Sequence, residues 1–175
     1  MPSLDRLVSL DQIGFLLGRA YYSYIGLLQQ WLDEEGLSEH IKPGMGSLLF
    51  ALFREDRRSI KHLVAELQIA KSTMSGMVAR MREMGLITVE PDPDDGRSSR
   101  LRLTPLARSF KKRCVRLAGE MEELLGSKLL DDEREQFCRA LALVTQTIAE
   151  TLDSESSGRQ RNASGKKRKS TGPNL

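Results

Sequence analysis

No stretch of this 175-residue chain stays apolar long enough to span a bilayer, and its first residues carry no secretory-signal pattern. A cytoplasmic protein with no membrane contact is therefore expected. Cysteine is scarce: Cys114 and Cys138 lie far apart and match no metal-binding spacing. The two histidines, His40 and His62, also stand apart with no cysteine nearby, which argues against metal sensing. Neither a glycine-rich phosphate loop nor a nucleophile elbow is present, and no spaced carboxylate pair accompanies a pocket. No catalytic activity and no cofactor are expected.

What the chain does have is charge, sharply segregated. The overall +3 conceals a net −3 over residues 1–53, +6 over 54–113, −4 over 114–152 and +4 over 153–175. A basic centre flanked by acidic arms is the electrostatic footprint of phosphate binding when it coincides with a reading motif.

Such a motif occupies that centre. The run Pro91-Asp92-Pro93-Asp94-Asp95-Gly96-Arg97-Ser98-Ser99-Arg100 lies between the apolar segments Leu86–Val89 and Leu101–Leu103. Its prolines, glycine and acids make a turn, and the flanking alternation makes a two-stranded hairpin with Arg97 near the tip. An exposed arginine on a slender projection is a device for entering a DNA minor groove. Before the hairpin, Lys71–Gly85 reads as a helix, with Met74, Val78 and Met81 at i, i+4 and i+7 on a buried face and Gly85 as its left-handed cap. Its other face carries Ser72, Thr73, Ser75 and Arg80, residue types that read bases or phosphates without steric bulk. An earlier helix is predicted to start at the N-cap Ser59, with Ile60, Leu63, Val64 and Leu67 buried, and only Gln68-Ile69-Ala70 separates the two. Helix, tight turn, polar-faced helix and basic hairpin together predict a winged helix-turn-helix.

Long amphipathic helices flank this unit. The first carries Ile13, Leu16, Leu17, Ala20, Tyr24, Leu27, Leu28 and Trp31, and Gly36 and Pro43-Gly44 interrupt the chain after it. A further helix is marked by Met45, Leu48, Leu49 and Leu52. After the hairpin, Thr104-Pro105 reads as an N-cap followed by proline at the first helical position. The helix it opens carries Leu106, Phe110, Cys114, Leu117, Met121 and Leu124 and breaks at Gly126. A last helix starts at Asp131-Asp132 and carries Phe137, Leu141, Val144, Ile148 and Leu152. Both terminal stripes exceed what a compact reading head needs, so burial against a second copy is expected, and with it a two-fold DNA site. Cys114 and Cys138 fall on or beside these stripes and are expected to be packing thiols. Residues 153–175, rich in serine, glycine and bases, are expected to form a disordered basic tail.

Ser59–Gly85, Leu86-Ile87 and Asp95-Gly96-Arg97-Ser98-Ser99-Arg100-Leu101-Arg102-Leu103-Thr104 together resemble the MarR family of bacterial transcriptional regulators. The wing signature Asp-x-Arg-x-x-Arg is matched by Asp95, Arg97 and Arg100, and the following Leu-Thr by Leu103-Thr104. Less specifically, the resemblance extends over residues 8–152. It implies a homodimer with a helical dimerisation region built from both chain ends, and a wing whose Arg97, oriented by Asp95, reaches the minor groove. A glycine within the recognition helix, Gly76, departs from the pattern. The peroxide-sensing branch of the family uses a cysteine in its first helix, and this chain has none there.

The expected fold is thus mainly α: a winged helix-turn-helix over 44–103, dimerisation helices over 8–36 and 104–152, one domain over 1–152, and the tail beyond. The expected function is a dimeric, sequence-specific DNA-binding regulator, a repressor reading an inverted repeat in double-stranded DNA. Lys71, Ser72, Thr73, Ser75, Gly76 and Arg80 should face the major groove, Arg97 the minor groove, and Arg100 the backbone. The resemblance also implies a small aromatic effector, whose existence for this member is left open by the sequence. A winged-helix module for protein contacts and a small-molecule binder with a minor DNA role remain the alternatives.

Overall fold

The computed structural model describes residues 12–93 and 98–168, with side chains through Leu152 except where they belong to those gaps, and at Ser154. The chain divides into two compact units, Met1–Gly46 and Ser47–Leu175.

The first unit is dominated by α1 (Ile13–Glu34). It ends as a helix with glycine at the left-handed position must. Gly36 has φ of 63°, its N–H bonds to Asp33 O (3.0 Å) and the next N–H, of Leu37, reaches back to Leu32 O (2.8 Å). Leu32, Leu37, Ile41 and Met45 are buried, whereas most of the expected apolar stripe of α1 is not: Ile13, Leu16 and Tyr24 are exposed.

The second unit begins in α2 (Gly46–Arg54), whose Leu48, Leu49, Leu52 and Phe53 are core residues. Then follow β1 (Arg58–Ser59), α3 (Ile60–Leu67) and α4 (Lys71–Glu83), with Gln68, Ile69 and Ala70 between the two helices. Ser59 caps α3, accepting from His62 N–H at 3.3 Å. Gln68, at φ 50°, turns the chain into α4. The buried face of α4 is Met74, Met77 and Met81; Met77 takes the place that periodicity assigned to Val78, which is only half-buried. Gly85, at φ 70°, closes α4 in the same manner as Gly36 closes α1, with Gly85 N–H on Arg82 O and Leu86 N–H on Met81 O.

The hairpin is β2 (Ile87–Pro91) paired antiparallel with β3 (Ser99–Leu103), in the register Ile87 to Leu103 and Pro91 to Ser99. The strands therefore reach further into the proline-acid run than its composition suggests. The two-stranded wing is present as expected, and β1 extends it into a three-stranded sheet in the order β1-β3-β2. Two residues of β1 pair with Arg100 and Leu101, too few to leave any periodic signal in the sequence.

Thr104 then does three things at once. Its N–H bonds to Leu86 O (3.0 Å), its hydroxyl donates to Gly85 O (2.7 Å), and the same oxygen accepts from Ala107 N–H (3.2 Å) as N-cap of α5 (Pro105–Gly126). The start of the hairpin, its end and the next helix are thereby fixed to one residue. Ala107, Phe110, Cys114, Leu117 and Met121 form the buried face of α5, while Leu106 and Leu124 are exposed.

The last helix, α6, spans Asp131–Arg168. Glu133 reaches back to Leu130 N–H (2.9 Å) at its start, one half of a capping box. Arg134 pairs with Glu122 of α5 at 2.5 Å. The expected change from helix to disorder after Leu152 does not occur there, because α6 continues to Arg168. An existing helix extends at small cost per residue, and no proline intervenes before Pro173. Residues 169–175 lie outside the described part. Phe137, Leu141, Ile148 and Leu152 of α6 are all exposed in the single chain. No helix among the described residues is long and apolar enough to cross a membrane.

Candidate nucleic-acid interface

Helix α4 presents two unlike faces. Met74, Met77 and Met81 are buried, and Lys71, Ser72, Thr73, Ser75 and Arg80 are exposed. The Ser75 hydroxyl donates to Lys71 O (2.9 Å), so its proton is used within the helix and its oxygen is left to accept. Gly76 is half-buried on the same helix, and a Cβ built there meets nothing within 4 Å. Packing inside the chain therefore does not require glycine at this position.

The stem of the wing is held by a pair that the sequence did not single out. Arg100 Nε lies 2.9 Å from Asp92 Oδ1, and Asp92 is only 7% exposed. Asp92 N–H in turn bonds to Ser98 O at 3.1 Å, closing the strands just before the tip. The sequence read Asp92 as one of several turn acids; strand pairing to Pro91 and Ser99 is what brings it beside Arg100. Arg100 was expected to lie on the DNA backbone, and the structure places it on β3 toward the tip end, with a carboxylate partner. Arg102 lies across the sheet from Glu90 at 3.2 Å. Asp95 and Arg97, the expected pair of the wing tip, lie outside the described residues.

The base of the wing is anchored by Asp56. Its Oδ1 accepts from Leu103 N–H and from Arg57 N–H, both at 2.8 Å, and its Oδ2 from Arg108 of α5 at 2.6 Å. Burial pushes its carboxyl upward, but the bonds from Leu103, Arg108 and Arg57 outweigh that and hold it below the usual carboxylate range. Nearby, Arg58 bonds Glu66 of α3 at 2.6 Å, and Arg54 also pairs with Glu66. Lys111 of α5 donates to Phe53 O at 2.6 Å. Part of the basic centre thus ties elements together.

The thiols divide. Cys114 is buried on α5, and burial pushes its thiol up to about 11, so it carries almost no thiolate at neutral pH. Cys138, expected to pack, is exposed on α6 instead. No group of three or more metal-ligating side chains occurs among the described residues.

A three-helix reading head with a three-residue connection between its last two helices, a polar-faced final helix and a β-wing defines a winged helix-turn-helix. Residues 46–98 match the model of the MarR family. The HTH-type transcriptional repressor NicR of Pseudomonas putida is 26% identical over 128 residues, 71% of this chain and 76% of that protein. Among solved structures, the PcaV transcriptional regulator of Streptomyces coelicolor, in complex with its natural ligand, is 26% identical. It superposes with a TM-score of 0.66 over 82% of this chain and 96% of its own. BpsR of Bordetella bronchiseptica, whose DNA binding is regulated by 6-hydroxynicotinic acid, is 25% identical. Its TM-score is 0.63 over 78% of this chain and 94% of its own. Over its reading head the chain is similar to the MarR family, and it shares the fold of these regulators.

Proposed function

We propose that the chain is a dimeric, cytoplasmic repressor that reads an inverted repeat in double-stranded DNA. The observation that carries this reading is the exposed Ser72-Thr73-Ser75-Arg80 face of α4 opposite a buried methionine face. Lys71, Ser72, Thr73, Ser75, Gly76 and Arg80 face the major groove. Arg97, oriented by Asp95, enters the minor groove, and Arg100, steadied by Asp92, lies along the backbone. Residues 44–103 form the reading head, and 8–36 with 104–152 supply the dimerisation helices of one functional domain over 1–152. The exposed apolar residues of α1 and α6 support a second copy as their cover. A small aromatic acid is the effector class, on the precedent of BpsR and 6-hydroxynicotinic acid.

Gel-shift titration with DNA from upstream of the chain's own gene, against random duplex, tests the reading. Arg97→Ala should weaken the specific site far more than random DNA, and Asp95→Ala should reproduce part of that pattern. Loss of a mere phosphate contact would weaken both DNAs alike. Unchanged specificity in both variants would refute the wing assignment.

A further inference from the structure

Where β1 meets the stem of the wing, a cleft of about 140 Å3 is lined by Glu55, Arg57, Arg58, Ser59, His62 and Arg100. Three of these are guanidinium groups and one is a carboxylate. Two of the three are held in place. Arg58 bonds Glu66 at 2.6 Å and Glu55 at 3.4 Å, and Arg100 bonds Asp92 at 2.9 Å. Strand pairing sets Ser59 directly opposite Arg100, which brings the cap of α3 and the wing stem to the same rim. Arg57 differs from its neighbours. It is exposed, and its side chain has no ion-pair partner among the described residues. Its backbone sits at φ 58°, pinned there by the bond from its N–H to Asp56.

We propose that this cleft binds a phosphate group of the DNA backbone, with Arg57 as its main ligand and Arg58 and Arg100 as a pre-set rim. The proposal rests on the reading of the chain as a DNA-binding protein. In helix-turn-helix docking the second helix lies in the major groove while the first crosses the backbone. Helix α3 is that first helix, and the cleft opens at its N-terminal end, where His62 stands in the first turn. A guanidinium matches a phosphate with a planar fork of donors. Because carboxylates already fix Arg58 and Arg100, little side-chain entropy is lost when an anion arrives. The cleft shares no residue with the exposed face of α4. It therefore adds affinity and register without sequence preference. Arg57 and His62 carried no signal in the sequence, since the fold alone brings them beside Arg100.

Fluorescence anisotropy with a labelled random-sequence duplex, across a sodium chloride series, compares wild type with Arg57→Asn and Arg57→Lys. Asparagine tolerates left-handed backbone, so Arg57→Asn removes the charge and keeps the turn, which an unchanged melting temperature verifies. The expected result for Arg57→Asn is a log–log salt slope shallower by about 0.9, which amounts to about eightfold weaker binding at about 0.1 M salt. Arg57→Lys should keep the slope. Wild-type affinity and slope in Arg57→Asn would overturn the proposal while leaving the regulator reading intact. A wild-type chain that binds no duplex at any salt would defeat both. Inorganic phosphate at matched ionic strength separates the other source of the same chemistry. If it raises the melting temperature of wild type but not of Arg57→Asn, and DNA binding is unchanged between them, the cleft serves a free anion and the DNA assignment is overturned.

Discussion

At the scale of single residues, Gly76 sets local helix propensity against the proposed close approach to DNA. Glycine in a helix interior costs about 1 kcal/mol against alanine, and the space around this position is open. Gly76→Ala should therefore stabilise the free protein, by about 0.5–1 kcal/mol in urea denaturation. If the backbone of α4 passes close to a base edge, the same methyl should weaken the specific DNA site. Stabilisation with undiminished specific binding would show that the glycine is no contact residue. The methionines make the complementary point. Their helical spacing revealed a buried face on α4, yet choosing between Met77 and Val78 required the neighbours against which that face packs. Cys138 shows the limit more bluntly, since a place beside an apolar stripe does not ensure burial when the stripe itself is exposed.

Among elements, Asp56 and Thr104 fasten the base of the wing to the segments around it. Asp56 joins the turn before β1 to the end of β3 and to Arg108 of α5. Its folded-state carboxyl is held below the ordinary range, so it is ionised in the native protein at lower pH than in the unfolded chain. That stabilisation is full above the unfolded value of about 4 and disappears as pH falls through the lower, folded one. Asp56→Asn should cost about 1–3 kcal/mol at neutral pH, the range for disturbing a hydrogen bond to a charged group. The gap in melting temperature between wild type and variant should narrow as the pH drops below about 4. A gap independent of pH would mean that Asp56 acts by shape alone. Helix boundaries were legible because caps are local: Ser59, Gly85, Thr104-Pro105 and Gly126 all mark ends close to those observed. Strand β1 was not, because its identity comes from pairing with residues some forty positions later.

For the whole molecule, the exposed stripes decide the expected assembly. Phe137 is 58% exposed and Leu141 38% on α6, and on α1 Ile13 is 69% exposed. Burying one such side chain is worth about 1.5–3 kcal/mol, and two-fold symmetry counts each substitution twice. Wild type should sediment as a dimer at micromolar concentration, and the double variant Phe137→Glu with Leu141→Glu as a monomer. The variant should keep its helical circular dichroism and lose most of its affinity for a two-fold site. A wild-type monomer, or a variant that remains dimeric, would contradict the assignment of α6 to the interface.

The amino-acid sequence by itself determined the order of the helices and of the wing hairpin, and the family resemblance. These depend on caps, glycines and periodicities that act within a few residues of one another. It also placed the basic charge at the reading head, since composition needs no fold to be counted. Tertiary structure alone decided which of those charges remain available: Arg58 and Arg100 are engaged by Glu66 and Asp92, while Arg57 is left at the mouth of a cleft. It decided likewise that the helix begun at Asp131 runs on to Arg168. The reason is the same in both cases. Local signals fix where a segment starts, but the partner of a charge and the extent of a helix depend on what long-range pairing and an already formed turn supply.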